Sequence, residues 1–372
     1  MSKRILFALL ATVVVGALIV GCKPGEKRRE LFNVSYDPTR ELYDAYNALF
    51  TKHWLETTGE TIDVEKSNGG SGAQARAVKT GQPADVVTLA LASDVDVVAE
   101  GGLFAPGAED PNSDAYWQKR LPNNSCPYSS TIVILVRKGN PKNIQGWEDL
   151  TKPDVKVVTP NPKTSGGARW NYIALWGYGL DKALAADGGI DAFISGTLPQ
   201  EKIDAAQKEA FEFTKKVFVN AFNQGMQSGA RGATDDFVKN GVGDAFLAWE
   251  NEAMLAQEYT QSGLEIVVPS LSVKAEPPVA VVDKVVDLRK TRDIAEEYLR
   301  YMYKPEAQEI IAQHHYRPYS EEVLAKYRDK FQDAKLFTID EVFGGWKRAQ
   351  QEHFGEGGYF EKMLLESAQG QK

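Results

Sequence analysis

Two cysteines and four histidines in 372 residues remove several chemistries at once. A disulfide framework needs paired cysteines, and Cys22 and Cys126 lie far apart with separate contexts, so no disulfide is expected. No Cys/His spacing fits a metal site, and the phosphate-loop pattern Gly-x4-Gly-Lys-Ser/Thr is missing, so neither a metal nor a cofactor is implied. Positive charge is also short: 43 Lys and Arg against 51 Asp and Glu leave a formal net charge of −8. That balance argues against a nucleic-acid surface, which needs a concentrated basic face. No internal repeat or heptad run is present, and nothing in the composition reads as disordered or fibrous.

The N-terminus carries Lys3 and Arg4, an apolar run from Ile5 to Val20, and then Gly21-Cys22. The run is short and broken by Thr12 and Gly16, so residues 1–21 read as a secretory signal and not as a spanning helix. Its end, Ile19-Val20-Gly21-Cys22, resembles the lipobox of bacterial lipoproteins, which implies lipidation at Cys22. Two palmitate-type chains there would suffice for stable anchoring to a membrane. Residues 22–30 then form a short solvated tether. The leftover Cys126, in Asn124-Ser125-Cys126-Pro127-Tyr128, is expected to be a packed thiol.

What the chain has in quantity is glycine, placed in three turns: Asn68-Gly69-Gly70-Ser71-Gly72, Thr164-Ser165-Gly166-Gly167-Ala168-Arg169 and Ser228-Gly229-Ala230-Arg231-Gly232. A glycine-rich turn feeding a helix exposes N–H groups that have no intrahelical partner, and such an end attracts an anion. Each helix start carries about half a positive charge, so three aimed at one point supply roughly one and a half charges without any cationic side chain. Ser71 and Ser165 add hydroxyl donors, and the Trp249 indole N–H can only donate. Taken singly, each turn is most simply a turn; their coincidence suggests one polyvalent oxyanion site.

Short apolar runs alternate with amphipathic stretches, the α/β pattern. Strands are expected at 31–34, 62–65, 85–89, 131–136, 155–159, 244–248, 265–268 and 278–282. Helices are expected at 39–55, 73–79, 93–100, 168–177, 205–220, 235–239, 251–261, 291–303 and 305–314. Asp37 is positioned to cap the first helix, with Pro38 at its first position. The length favours two lobes. Turn residues at Gly139-Asn140-Pro141 and at Pro269 with Pro277-Pro278 mark two crossings, giving a discontinuous lobe 1 (31–135 and 271–372) and an inserted lobe 2 (136–270). Asp181–Gln207 reads as a surface elaboration.

An enzyme is the competing class. Gly69-Gly70-Ser71-Gly72-Ala73 nearly matches the Gly-x-Ser-x-Gly nucleophile elbow, with Ala73 in place of the last glycine. A secreted serine hydrolase using Ser71 would need a base from His53, His314, His315 or His353.

The same segments resemble the sulfate-binding proteins of bacterial ABC transporters. The likeness runs through Asn33–Tyr43, Gly69–Gly72, Ala84–Ala92, Thr131–Pro141, Thr159–Tyr172, Ser228–Gly232, Ala248–Ala253 and Leu336–Trp346, nearly the whole mature chain. It implies a two-lobed periplasmic-binding-protein type II fold, each lobe a mixed sheet flanked by helices, that captures dehydrated sulfate by donors alone. The partners implied are the anion and an ABC permease, the site is extracytoplasmic, and a monomer is expected. By motif, the ligands are Ser71, Ser165, Gly166, Gly167, Ala230 and Trp249, with Asp37, Asn68, Arg169 and Arg231 supporting them. Asn68 replaces an expected histidine, and Thr164 an expected serine. Sulfate carries no proton at neutral pH, whereas phosphate brings one that an all-donor pocket leaves unmatched, at a cost of about 1–3 kcal/mol. Thiosulfate and molybdate remain alternatives, since both are tetrahedral dianions without protons.

Overall fold

In a computed structural model, residues 28–260 and 263–370 are described. The signal and lipobox expectation, including Cys22, lies outside them. Among the described residues, no helix is long and apolar enough to cross a membrane.

The chain opens with β1 (Arg29–Tyr36), α1 (Arg40–Thr58), β2 (Ile62–Gly69), α2 (Ser71–Lys79), β3 (Val86–Thr88) and α3 (Ala92–Glu100). It continues through β4 (Ile132–Val136), β5 (Val157–Val158), α4 (Gly166–Ala183), α5 (Gln200–Phe222), α6 (Ala230–Val238), β6 (Ala245–Trp249), α7 (Glu250–Thr260) and β7 (Glu265–Val267). The return contributes β8 (Leu271–Val273), β9 (Val279–Val281), α8 (Arg292–Tyr301), α9 (Pro305–Gln313), β10 (Lys335–Phe337) and α10 (Tyr359–Gly370).

Two four-stranded mixed sheets result. In the first, ordered β9-β3-β1-β2, β1 runs parallel to both neighbours and β9 is antiparallel to β3. In the second, ordered β5-β6-β4-β7, β4 is antiparallel to β6 and β7 while β5 is parallel to β6. Strands of β4 and β6 are buried throughout and read as continuous apolar runs, Ile132–Val136 and Ala245–Trp249, because helices cover both faces.

Helix α1 buries Tyr43, Tyr46, Phe50 and Trp54, one face at three- and four-residue spacing, and sets Tyr46 and Phe50 edge-on to Tyr298 of α8. Gly59 stops the helix in the left-handed region, its N–H donating to Leu55 O. Helix α4 is different: it is buried on nearly every side from Gly166 to Leu180, as a central helix must be when it is apolar all round.

Several expected boundaries move. The crossing near residue 135 lies too late, because Ile132–Val136 pairs within the second sheet. The two crossings instead touch each other at Ser130 and Ala275, which exchange backbone hydrogen bonds of 2.9 Å. Residues 335–370, expected with the first lobe, pack on the second. Strand β10 pairs with β8, His353 bonds Tyr172, and Phe360 stands edge-on to Phe218. The Asp181–Gln207 stretch is no mere surface elaboration, since Leu184, Ile190 and Ala206 are buried and Trp176 Nε1 donates to Gln207 Oε1. Cys126 is buried and unpaired, as expected of a packed thiol, and burial pushes its pKa well up.

Gly177, expected to end its helix, lies inside α4, which continues to Ala183. The glycine is there for space: a Cβ would fall 2.1 Å from Phe337 Cζ. Replacing Gly177 with Ala should therefore destabilise the protein by about 1–3 kcal/mol through overpacking, although alanine is the better helix former by roughly 1 kcal/mol. Denaturant unfolding measures this, and adding Phe337→Leu should recover part of the loss.

Candidate functional site

The carboxyl ends of β1, β2 and β6 and the starts of α2, α4 and α6 meet between the two sheets, where open α/β folds place ligands. The cavity there is lined by Tyr36, Asp37, Pro38, Gly69, Gly70, Ser71, Ser165, Gly166, Gly167 and Ala230. Its free volume is only about 10 Å³, far below the roughly 300–1,000 Å³ of pockets for organic ligands. Such a space admits about one water-sized body and excludes an organic ligand.

Three helix starts point their unpaired N–H groups into this region. Ser71 opens α2 straight from Gly70, Gly166 opens α4, and Ala230 opens α6. Helix α6 starts five residues earlier than the expected 235, and this is what makes Ala230 N a helix-terminal donor. The approach is close. A Cβ on Gly166 would lie 2.9 Å from Ala90 Cβ and 3.0 Å from Ser71 Cβ, and one on Gly70 would lie 3.1 Å from Thr164 O. Only glycine lets these two walls touch.

Ser165 caps α4, its Oγ accepting from Ala168 N at 3.3 Å, which leaves the hydroxyl proton free to donate elsewhere. Trp249 lies one layer behind the lining. Its indole Nε1 is 3.1 Å from the position of a Cβ on Gly167 and donates, at 3.4 Å, to Gly167 O. The ring tilts against Tyr36 with centroids 5.5 Å apart. The structure thus brings all six expected ligand residues to one place, five of them lining the cavity.

The role expected for the Ser71 hydroxyl changes. Ser71 Oγ donates to Asp94 Oδ2 at 2.5 Å and accepts from Ala90 N at 3.0 Å, so its proton is already used. What Ser71 can still offer is its backbone N–H. Asp94 is fully buried, and burial raises its pKa against the opposing pull of Arg169 and of Ser71. Arg169 reaches Asp94 Oδ1 at 3.4 Å and donates from Nε to Pro162 O at 2.9 Å. Arg231 donates to both Glu41 oxygens at 3.1 Å and lies 3.6 Å from Glu252. Burial raises the Glu252 pKa, with Arg231 and Thr234 working the other way. Both supporting arginines are therefore neutralised by carboxylates, and each reaches across from the second lobe to the first.

Asp37 does not cap α1. It sits in a single 3-10 turn, Asp37–Thr39, and no side-chain capping bond is made. Its carboxylate lies 3.6 Å from Arg40 and 2.8 Å from where a Gly229 Cβ would be, and burial raises its pKa against Arg40 and Arg231. Asp37 thus lines the cavity while its carboxylate is engaged by Arg40, Arg231 and the Gly229 backbone region. Asn68 Nδ2 and Thr39 Oγ1 both donate to Tyr36 O, at 3.1 and 2.7 Å. They pin the Tyr36–Asp37 peptide, whose other end is the Asp37 N–H. Asn68 thereby gains a job: it orients a further backbone donor at the cavity. Sequence reasoning missed Asp94, Glu41 and Glu252 as charge partners; the stretch 93–100 was expected only as a helix.

The hydrolase alternative finds no histidine lining the cavity at Ser71. Ser71 Oγ meets a carboxylate and an amide. His53 pairs with Glu297, His315 with Glu258 and His353 with Tyr172.

Comparison with known proteins agrees with this architecture. A family model for bacterial extracellular solute-binding proteins matches residues 33–317. The chain is 52% identical over 335 residues to a sulfate-binding protein of Salmonella typhimurium, covering 90% of this chain and 92% of that one. It is 42% identical over 334 residues to a thiosulfate-binding protein of Pseudomonas aeruginosa, covering 90% and 91%. The solved structure of the sulfate-binding protein SubI from Mycobacterium tuberculosis H37Rv matches with a TM-score of 0.70 at 27% identity, covering 88% of this chain and all of that one. The two mixed sheets, the cleft between them and these matches together make the chain a member of the bacterial extracellular solute-binding protein family, with its two-lobed type II fold.

Proposed function

We propose that this protein captures sulfate between its lobes outside the cytoplasm and delivers it to an ABC permease for uptake. The single observation that carries the reading is the convergence of the α2, α4 and α6 starts on one small cavity whose neighbouring arginines are already paired. A dianion there gains roughly one and a half opposing charges from three helix ends, and the closed, poorly hydrated space strengthens each interaction. The proposed ligands are the backbone N–H groups of Asp37, Ser71, Gly166, Gly167 and Ala230, the Ser165 hydroxyl and the Trp249 indole, which would exchange its long 3.4 Å bond to Gly167 O for one to the anion. Relatives named for sulfate and for thiosulfate both align over 90% of the chain, at 52% and 42% identity, so thiosulfate is the second reading.

Closure follows from where the donors lie. Ser71 belongs to the first lobe and Ser165–Gly167, Ala230 and Trp249 to the second, so the anion favours the shut form over the open one. The shut form is also held by contacts between lobes: Arg169 with Asp94, Arg231 with Glu41, and Trp170 Nε1 donating to Ala90 O at 2.8 Å. The paired crossings at Ser130 and Ala275 are the natural hinge. Lipidation at Cys22 would hold this monomeric receptor at the outer face of the cytoplasmic membrane.

The reaction class is tested by isothermal calorimetry on the mature protein. Sulfate should bind at least tenfold more tightly than phosphate, since the phosphate proton meets donors and a mispaired buried group costs about 1–3 kcal/mol. Equal affinities would defeat the proposal. The roles of the two serines separate in the same assay. Ser165→Ala should weaken sulfate about tenfold to a hundredfold by removing a hydrogen bond to a charge. Ser71→Ala keeps its N–H and should cost less than about fivefold. Loss of ester turnover on Ser71→Ala, in place of these results, would favour the hydrolase.

A further inference from the structure

A far larger cavity lies between α5 and the C-terminal stretch 342–366, and none of its lining residues lines the anion cavity. Its free volume is about 1020 Å³, at the upper end of the roughly 300–1,000 Å³ typical of small-molecule sites. Phe193, Phe211, Phe343 and Tyr359 supply apolar walls, and His353 sits among them. The His353 ring stands 5.2 Å from Phe343 and 5.1 Å from Tyr359, centroid to centroid. Trp176, outside the lining, packs edge-on to it at 4.5 Å.

His353 has one nitrogen to spare. The residue is 3% exposed and occupies a π turn, Gln350–Phe354, a widened turn frequent at functional sites. Its Nδ1 lies 2.9 Å from Tyr172 Oη, and Tyr172, wholly buried in α4, has no other side-chain hydrogen bond among the described residues. Burial keeps the phenol protonated and, with Arg348 adding to it, pushes the imidazole pKa down to about 3. A buried hydroxyl proton without an acceptor is costly, so the phenol donates to Nδ1. A neutral imidazole that accepts at Nδ1 carries its own proton on Nε2. Tyr172 does not line the cavity and His353 does, so the far edge of the ring, bearing Nε2, faces it. That nitrogen has no partner among the described residues and, unlike the sealed Nδ1 of His315, keeps surface that a ligand can reach.

The charge left free around this donor is positive. Glu212 and Glu366 share Lys215, and Glu352 pairs with Arg348. The remaining carboxylate of the lining, Asp204, accepts from Gln200 Nε2 at 2.8 Å. Lys208 and Lys362 also line the cavity, and neither has an ion pair among the described residues. Lys362 Nζ instead lies over the Tyr359 ring, 5.0 Å from its centroid, and His353 flanks that same ring. An N–H aimed inward beside an unpaired ammonium calls for a negatively charged acceptor, and the aromatic walls call for a flat apolar body.

We propose that this cavity is a second binding site, for a small aromatic carboxylate. Its ring packs among Phe211, Phe343 and Tyr359, and its carboxylate accepts from His353 Nε2–H and from Lys362. Two measurements on the mature protein test this, with benzoate as the probe. Proton–nitrogen spectra of histidine-labelled protein should show His353 protonated at Nε2 in the free state, with that proton moving downfield as benzoate is added; a proton on Nδ1, or an Nε2–H that stays put at saturation, would overturn the proposal. Calorimetry should give saturable benzoate binding at one per chain, with acetate, which lacks the ring, and benzylamine, of opposite charge, at least about tenfold weaker. Lys362→Gln and Phe211→Leu should each weaken benzoate about threefold or more, and unchanged thermal unfolding midpoints establish that both variants fold. Absence of saturable benzoate binding, controls that bind as tightly, or folded variants that bind like the parent would overturn the proposal. Saturating sulfate should leave the benzoate affinity unchanged, whereas competition would place benzoate in the main cleft and contradict a second site. None of these outcomes depends on which anion that cleft takes.

Discussion

A buried dianion with no cation beside it is the constraint around which this molecule is arranged. A carboxylate-rich chain of formal charge −8 cannot rely on its overall field to hold an anion, so the attraction must be local and directional. Helix starts meet that need because their N–H groups are fixed by the helix itself and lose nothing by being aimed. The glycines at 70, 166 and 167 let three such ends approach to contact distance, and each packed element behind them exists to hold an axis in place. The central helix α4, buried on nearly all sides, is the stiffest of these, and it carries three of the proposed donors at or beside its first turn.

The arginines illustrate the same economy. Arg169 and Arg231 lie near the cavity, yet Asp94, Glu41 and Glu252 neutralise them. Their role is then mechanical: an ion pair that spans two lobes exists only when the lobes meet. Such a pair stabilises the shut form without competing for the anion, and the anion in turn brings the pair together. On the proposed ligand set, recognition is left to neutral donors, which would discriminate by proton count as well as by charge.

Much of this was legible in residue order. The three glycine turns, the α/β alternation and the two-lobed architecture all follow from local pattern, and the structure places the six expected ligand residues around one cavity. What was not legible depended on tertiary neighbours. Ser71 looked like a hydroxyl donor until Asp94, distant in sequence, took its proton. Gly177 looked like a helix stop because the Phe337 ring that fills its side-chain space comes from far along the chain. Ile132–Val136 looked like the last strand of one lobe because pairing partners leave no mark on a uniformly apolar run. Asp37 looked like a cap, whereas the structure uses its peptide, pinned by Asn68 and Thr39 through the Tyr36 carbonyl. Helix α6 hid its true start, since Ala230-Arg231-Gly232 has little helical signal without the packing behind Ala233 and Phe237.

The most direct measurement of the central claim is the amide and indole spectrum of isotope-labelled protein, recorded with and without sulfate. Hydrogen bonding to a dianion should move the proton resonances of Ser71, Gly166, Gly167 and Ala230 N–H and of Trp249 Nε1–H downfield together, at one sulfate per chain, with the arginine side-chain signals far less changed. A spectrum in which those backbone protons stay put while Arg169 and Arg231 side-chain protons shift would contradict the account.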